Sequence, residues 1–196
     1  MIAFIEGNIA EKTPTFVVID CNGVGYQIQV SLNTYSQLPE SSRVKLLTHL
    51  VVREDAHTLY GFVKEEEREL FRNLISVSGV GPNTARMILS SMSVNEIRKA
   101  IVSKDISTLQ SVKGIGSKTA QRIIVDLKDK IEKEGVLAVE NLGGTDNTIR
   151  EEALSALVML GYNKTIAQKT INQALKERSG NIPTVEQLIK EVLKNV

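Results

Sequence analysis

The chain has 196 residues, of which 42% are hydrophobic and 24% are charged, a composition typical of folded globular proteins. It has no run of about 18 apolar residues and no signal-peptide pattern at its N-terminus, so neither a membrane span nor secretion is expected. The net charge of +1 excludes a broad basic surface, so any affinity for nucleic acid must come from local geometry. The single cysteine, Cys21, can form no internal disulfide, which favours a cytoplasmic location.

The first 63 residues have the pattern of a small β-barrel. Strands are predicted at 2–10, 15–20, 24–30, 44–52 and 58–62, with one helical turn at 33–38. Asn22-Gly23 is a strong signal for a hairpin between the second and third strands. Five short strands in about 60 residues suit a closed OB-like barrel, because closure removes exposed edges. An SH3-like barrel would give nearly the same pattern.

The remaining residues are predicted to be helical, apart from a linker. Residues 64–134 have helical periodicity interrupted by two glycine-rich turns, and 135–147 are small and polar, typical of a flexible linker. Residues 148–196 form a predicted three-helix, UBA-like module in which Gly161 ends the first helix and Thr184 caps the third. The predicted fold class is therefore multidomain α+β: an OB-like barrel, a tandem helix-hairpin-helix domain and a small helical module.

An internal repeat is the most informative feature of the sequence. Residues 77–86, VSGVGPNTAR, recur 35 positions later as VKGIGSKTAQ, each copy preceding a predicted helix. Glycines permit a tight turn with positive φ and a close approach of the backbone to a ligand, and the following helix presents unpaired N-terminal amides to an anion. Val80 and Ile115 are expected to point into the core. The repeat therefore predicts two sites that bind DNA phosphates without reading sequence.

Other chemistry is not indicated. The chain contains no P-loop, neither glycine repeat fits a dinucleotide fingerprint, and His49 and His57 have no carboxylate cluster at metal-ligand spacing, so no nucleotide hydrolysis, metal or cofactor is expected. A helix-hairpin-helix repair enzyme would need a catalytic residue, but Asp126 and Asp129 lie in a helix that has the pattern of a solvated face. Ligand-free packing turns remain an alternative for the glycine repeat.

A third alternative, a single-strand DNA binder, would stack bases on exposed aromatic side chains of the barrel. Aromatic residues make up only 4% of the chain and tryptophan is absent. The available side chains are Tyr26, Tyr35, Tyr60 and Phe62, which are expected to be buried. The barrel is therefore interpreted as a scaffold.

Over its full length the chain resembles the RuvA family of Holliday-junction branch-migration proteins. The resemblance rests on the runs VVRED at 51–55, LYGF at 59–62, GVGP at 79–82 and GIG at 114–116, together with the domain order. It implies a tetramer, or paired tetramers, that holds a four-way junction open. It also implies that the C-terminal module recruits the hexameric ATPase RuvB and that the RuvC resolvase can act on the same junction.

The resemblance also assigns candidate site residues. The DNA-binding set is Gly79, Val80, Gly81, Pro82, Asn83, Thr84, Gly114, Ile115, Gly116, Ser117, Lys118, Thr119 and Arg122. An acidic pin at the junction centre maps onto Glu54 and Asp55, beside Arg53. Candidate contacts to RuvB, among residues that also include core positions, are Leu154, Leu157, Met159, Leu160 and Tyr162.

Two positions depart from the family pattern. Asn83 and Ser117 stand where family members often carry basic residues. Both can still donate hydrogen bonds to a phosphate but add no charge. Either the salt dependence of binding is smaller, or other cations such as Arg86, Lys113 or Lys128 compensate.

Overall fold

The structure, a computed structural model, describes residues 1–140, 145–177 and 184–194. The chain divides into two compact units, Met1–Glu132 and Lys133–Val196. The first unit contains the barrel together with the glycine repeat, and the second contains the C-terminal helices.

The barrel is closed and has the strand order β1-β2-β3-β5-β4, which confirms the OB-like prediction. Its strands are β1 Phe4–Lys12, β2 Phe16–Cys21, β3 Val24–Val30, β4 Arg43–Val52 and β5 His57–Phe62. All neighbouring strands are antiparallel except β3 and β5, which pair in parallel. The helical turn predicted at 33–38 is α1, Leu32–Gln37, capped by the Ser31 side chain. Aliphatic side chains fill the interior, as alternation along the strands requires.

The turn between β2 and β3 has the predicted hairpin geometry. Asn22 and Gly23 have φ values of 54° and 90°, which suit a two-residue turn whose twist matches the flanking strands. The first strand begins and ends two residues later than predicted. Its end is later because β1 continues past a bulge between Ile9 and Glu11. Bulges insert an unpaired residue, which a strict alternation of polar and apolar residues does not reveal.

The central helices are α2 Glu65–Ser76, α3 Pro82–Ser91, α4 Val94–Val102, α5 Ile106–Gln110 and α6 Ser117–Glu140. Helix α2 packs on β4 and β5 through Phe71, which is fully buried. The Phe71 ring centroid lies 5.0 Å from that of Tyr60 and 5.1 Å from that of Phe62. These two barrel residues therefore belong to the same hydrophobic cluster as the helices. Their burial leaves them unavailable to stack bases, as expected.

A buried carboxylate joins the barrel to α2. Glu67 is 4% exposed and accepts hydrogen bonds from the hydroxyls of Ser31 and Thr34 in the segment that follows β3. Burial raises the pKa of the Glu67 carboxyl, although the two hydroxyls and the charge of Lys64 act in the opposite direction. The first turn of α2, expected to be simply a run of negative charge, therefore contributes one of its three glutamates to the interior.

This burial makes the contribution of Glu67 to stability dependent on pH. Because the pKa is raised in the folded state, the folded chain holds this proton more tightly than the unfolded chain, and stability falls as pH rises above the ordinary value of 4.5. We expect Glu67→Gln to lose this dependence. Urea unfolding of both proteins at several pH values should show wild type losing stability relative to the variant as pH rises. A difference that is constant with pH would contradict the prediction.

The segment predicted as a linker at 135–147 is largely helical where it is described. Helix α6 continues to Glu140 and the next helix begins at Thr145, while 141–144 lie outside the described residues. Extending an established helix requires only one residue to be fixed per added hydrogen bond, so the good helix formers after Gly135 prolong α6.

The C-terminal helices are α7 Thr145–Met159, α8 Lys164–Glu177 and α9 Val185–Lys194. Gly161, with φ of +94°, ends the α7 segment as predicted. The predicted capping box is also present: the Gln187 amide donates to the Thr184 hydroxyl, and Gln187 accepts from the Thr184 amide. Among the described residues of the module, seven are buried in its core: Ala153, Leu157, Ala167, Ile171, Ala174, Leu188 and Val192.

Candidate nucleic-acid interface

The first glycine turn, residues 77–81, joins α2 to α3. The Val80 amide donates to the Val77 carbonyl at 3.0 Å, and Gly79 between them has φ of +90°. Val77 and Val80 are 2% and 5% exposed, so both apolar side chains anchor the turn in the helical core. We call this segment the first hairpin.

The second glycine turn, residues 112–116, repeats this geometry before α6. The Ile115 amide donates to the Val112 carbonyl at 3.0 Å, and Gly114 has φ of +93°. Val112 and Ile115 are 2% and 6% exposed. The repeat in sequence is therefore a repeat in structure, and we call this segment the second hairpin.

The second glycine of each hairpin has a different role from the first. Gly81 is the N-cap of α3 with φ of −83°, and neither Gly81 nor Gly116 adopts the left-handed conformation. The expectation that both glycines of each pair serve to permit positive φ is therefore wrong for this second position. A Cβ at either residue would meet no atom of the described chain within 4 Å. Their small size leaves open space above the helix ends, where a ligand backbone could approach.

The helix ends beyond these glycines carry free donors. Gly81 makes no side-chain cap, and Pro82 at the start of α3 has no amide hydrogen to satisfy. The amides of Asn83 and Thr84 in α3, and of Lys118 and Thr119 in α6, lie in first turns that lack intrahelical acceptors. Each end combines several N–H donors with the positive end of a helix dipole, which suits a phosphate.

Arg122 connects the two hairpins. Its Nη1 donates to the Ser78 carbonyl at 3.2 Å and lies 3.8 Å from the position of a Cβ on Gly79. Arg122 comes from α6, which follows the second hairpin, so this contact places its charge at the first hairpin. Lys118 is exposed at the start of α6, as a phosphate contact requires.

The acidic turn, residues 53–56, connects β4 to β5 and is exposed. The Arg53 amide donates to the Ala56 carbonyl at 2.9 Å, which closes the turn and presents Glu54 and Asp55 to solvent. The turn borders a cleft beside the first hairpin. The cleft is lined by Gln29, Val51, Arg53, Asp55, Ala56, Thr58, Tyr60, Pro82, Asn83 and Arg86.

Tyr60 bridges the barrel and α3 inside this cleft. Its hydroxyl donates to Asn83 Oδ1 at 3.3 Å. Burial raises the pKa of the Tyr60 phenol, while the nearby charges of Arg86 and Arg53 act to lower it. Sequence reasoning took Tyr60 only as a barrel aromatic, because nothing in local spacing brings residue 60 to residue 83.

The candidate compensating cations differ in position. Arg86 lies in the cleft wall, and Lys113 is exposed in the second hairpin. Lys128 forms an ion pair with Glu132 at 3.4 Å one turn later in α6. Asp126 and Asp129 lie on the exposed side of the same helix, in agreement with a solvated face.

The candidate partner-binding residues separate into two groups. Leu157 is fully buried in the core of the C-terminal module, so it is one of the core positions in this candidate set. Leu154 and Tyr162 pack against the same core and are half-buried. Met159 and Leu160, at the end of α7, are 86% and 62% exposed. Among the described residues, three further exposed apolar side chains of this module were not predicted from the sequence: Val158, Ile166 and Leu193.

Among the residues that the structure describes, His, Cys, Asp and Glu form no group that could hold a metal ion. None of the helices over the same ranges is both long and apolar enough to span a membrane.

Three protein-family models match the sequence, and together they cover most of the chain. A model described as RuvA N terminal domain matches residues 1–61, and one described as SAM-like helix-hairpin-helix tandem matches 71–129. A third, described as RuvA C-terminal domain, matches 148–196. These three segments cover the barrel up to residue 61, both hairpins, and the C-terminal helices from residue 148 onward.

Full-length relatives carry one name. The chain is 54% identical to a protein of Christiangramia forsetii over 100% of both chains, and 52% identical to one of Cytophaga hutchinsonii over 99% of both. A relative in Bacteroides fragilis is 48% identical over 100% of both chains. Each is named Holliday junction branch migration complex subunit RuvA.

Proposed function

The chain belongs to the RuvA family, and on that basis we propose that it binds four-way (Holliday) DNA junctions and holds them open for branch migration. The observation that carries this function is the pair of matching hairpins, each with a glycine that leaves its helix end open to a ligand backbone. Phosphate contacts of this kind fix the position of DNA but carry no base information. Recognition would therefore depend on the shape of the junction and not on its sequence.

The low net charge supports structure-selective binding over general duplex binding. With a net charge of +1, the chain has little of the nonspecific attraction that a strongly basic protein has for any duplex. Affinity must then come from several phosphate contacts made together, which a DNA of the correct geometry allows. A helix-hairpin-helix adaptor that binds duplex DNA of any shape is the alternative function.

The acidic turn would act by repulsion. Glu54 and Asp55 are exposed at the tip of the β4–β5 connection, next to the cleft beside the first hairpin. Carboxylates close to a strand crossover disfavour phosphate paths that pass over them, so they reject wrong arrangements of the strands. A symmetric tetramer, which we propose as the binding species, would gather four such turns. Pairing of two tetramers is a further possibility of the same assembly.

The C-terminal module would recruit the ATPase. The relatives are named as subunits of a complex, and we propose that ATP hydrolysis is supplied by RuvB, which docks on this module. The chain itself would be the DNA-binding subunit, without intrinsic catalysis or a cofactor. We propose RuvC as a second partner on the same junction, and the cytoplasm as the compartment.

Sequence independence is the property that tests this function. Titration of two labelled four-way junctions with unrelated arm sequences should give dissociation constants that agree within about threefold, since the contacts are to phosphates. Stepwise shifts at rising protein concentration would report one and then two tetramers. An affinity that follows the arm sequence would contradict the proposal and indicate base readout.

A further inference from the structure

The two hairpins differ in where they place positive charge. In the second hairpin Lys118 stands in the first turn of α6, and the equivalent position in α3 is Asn83. One turn further along the helix the difference is reversed, because α3 has Arg86 where α6 has Gln121. The first turn of α3 therefore supplies no cation of its own and α3 has one a turn deeper, in addition to Arg122, which reaches the first hairpin from α6.

Arg86 lies in the wall of the cleft between the acidic turn and the start of α3. The cleft has a volume of about 370 Å³, roughly ten times the space that one water molecule takes in the liquid, so it can admit a phosphate group. The polar side chains that face it are Arg53, Asp55, Tyr60, Asn83 and Arg86, together with Gln29 and Thr58. Two guanidinium groups and one carboxylate leave the cleft with a positive charge.

The guanidinium of Arg86 is held in place by a hydrogen bond, but it is not neutralised by an ion pair among the described residues. Its Nη1 donates to the Thr15 carbonyl at 2.9 Å, which fixes it against the barrel. Its Nε is buried without a hydrogen-bond partner, and no ion pair to Arg86 is found among the residues that the structure describes. Because Nε is buried, it cannot itself reach a ligand in the cleft, and the contribution of Arg86 is a fixed positive charge in the cleft wall, which suits an oxyanion such as a phosphodiester.

We propose that this cleft binds a phosphodiester of the DNA strand that crosses the first hairpin, with Arg86 as its fixed cation. This subsite rests on the proposed function. Arg53, which also lines the cleft, supplies a second, exposed cation, and the amides of Asn83 and Thr84 lie in the first turn of α3 beside it. Asp55 borders the cleft, so its carboxylate limits how far the phosphate can move toward the acidic turn.

The test is the salt dependence of junction binding for Arg86→Gln, which places in α3 the residue that α6 has at the equivalent position. The variant should bind a four-way junction about tenfold more weakly at low salt. Loss of one phosphate contact should also make its affinity about three- to fourfold less sensitive than wild type to a rise from about 50 to about 200 mM salt. Arg43→Gln is the matched control, because Arg43 is exposed at the far end of β4 and its removal changes the net charge equally.

A rescue separates an electrostatic role from a structural one. Asn83→Lys in the Arg86→Gln background puts a cation where the second hairpin has Lys118, and it should restore both affinity and salt sensitivity. Thermal unfolding of each variant reports whether loss of the Thr15 contact harms the fold. A loss of binding that accompanies a lower Tm and is not recovered by Asn83→Lys would overturn the proposal.

Failure of this subsite and failure of the proposed function give different results. If wild type binds the junction selectively while Arg86→Gln and Arg43→Gln behave alike, the subsite is wrong and the function stands. If wild type itself shows no preference for the junction, the function is wrong, and the subsite is overturned with it.

Discussion

Alanine at both Gly81 and Gly116 is expected to weaken junction binding about a hundredfold while the chain still folds, a loss of about tenfold for each hairpin. Within the protein, neither added methyl group meets an atom within 4 Å, and neither residue has a positive φ. The cost to folding is then only that of alanine at a helix N-cap, about 0.5–1 kcal/mol. The cost to binding is larger because the methyl groups stand where a phosphate must approach the amides.

The choice of glycine decides whether this experiment can be interpreted. Gly79 and Gly114 have φ near +90°, so alanine there would strain the turn by about 1–2 kcal/mol and confuse folding with binding. Gly25 in the barrel strand β3 is the control, since it also lacks a positive φ and belongs to neither hairpin, and an added Cβ there would meet only Val18 Cγ1, at 3.3 Å. Junction titration and thermal unfolding of the double variant and the control give the answer. Wild-type affinity in the double variant would exclude close backbone approach at these two positions.

Serine at both Met159 and Leu160 is expected to abolish stimulation of the RuvB ATPase without affecting junction binding. These side chains are 86% and 62% exposed, and apolar groups at the centre of an interface commonly contribute more than 1 kcal/mol each. The module should remain folded, because neither residue belongs to its core. ATPase assays with junction DNA, and circular dichroism of the variant, measure the two effects separately.

Two further variants distinguish docking from folding. Leu157→Ala removes a fully buried side chain, which costs about 2–5 kcal/mol in a small module that has little stability to spare. It should lose ATPase stimulation by unfolding the module. Leu193→Ser removes an exposed apolar side chain from α9 and should leave stimulation unchanged. If Leu193→Ser impaired stimulation as much as the double variant, docking would not be localised at the end of α7.

The hairpins could be predicted from the sequence because their determinants are local. A glycine that needs positive φ, an apolar anchor one residue later and a helix that starts immediately afterwards all fall within ten residues. The barrel could be predicted for a similar reason, since alternation and the Asn22-Gly23 turn are short-range signals. What could not be predicted is the contact between distant segments. Phe71 packing against Tyr60 and Phe62 makes the barrel and helices share one core, and no periodicity indicates that.

In the candidate site too, local features could be predicted from the sequence, whereas burial and contacts between distant residues could not. Periodicity placed Leu157, Met159 and Leu160 on one helix, but only the packed module shows that the first is buried and the other two are exposed. Arg122 was predicted as a DNA-binding residue from its place in α6 after the second hairpin, and only the structure shows that its guanidinium lies at Ser78 in the first. The extension of α6 through the predicted linker reflects helix propagation, which composition alone underestimates.

The central claim is that this chain selects DNA by shape through phosphate contacts, and the junction-to-duplex affinity ratio tests it most directly. Both DNAs should share the same arm sequences, so that base identity is held constant. Titration at two salt concentrations then measures the electrostatic part of the binding free energy. We expect the junction to bind at least about a thousandfold more tightly, the lower end of the range that separates specific from nonspecific DNA binding. Equal affinities for junction and duplex would contradict the claim and leave the hairpins as general duplex-binding elements.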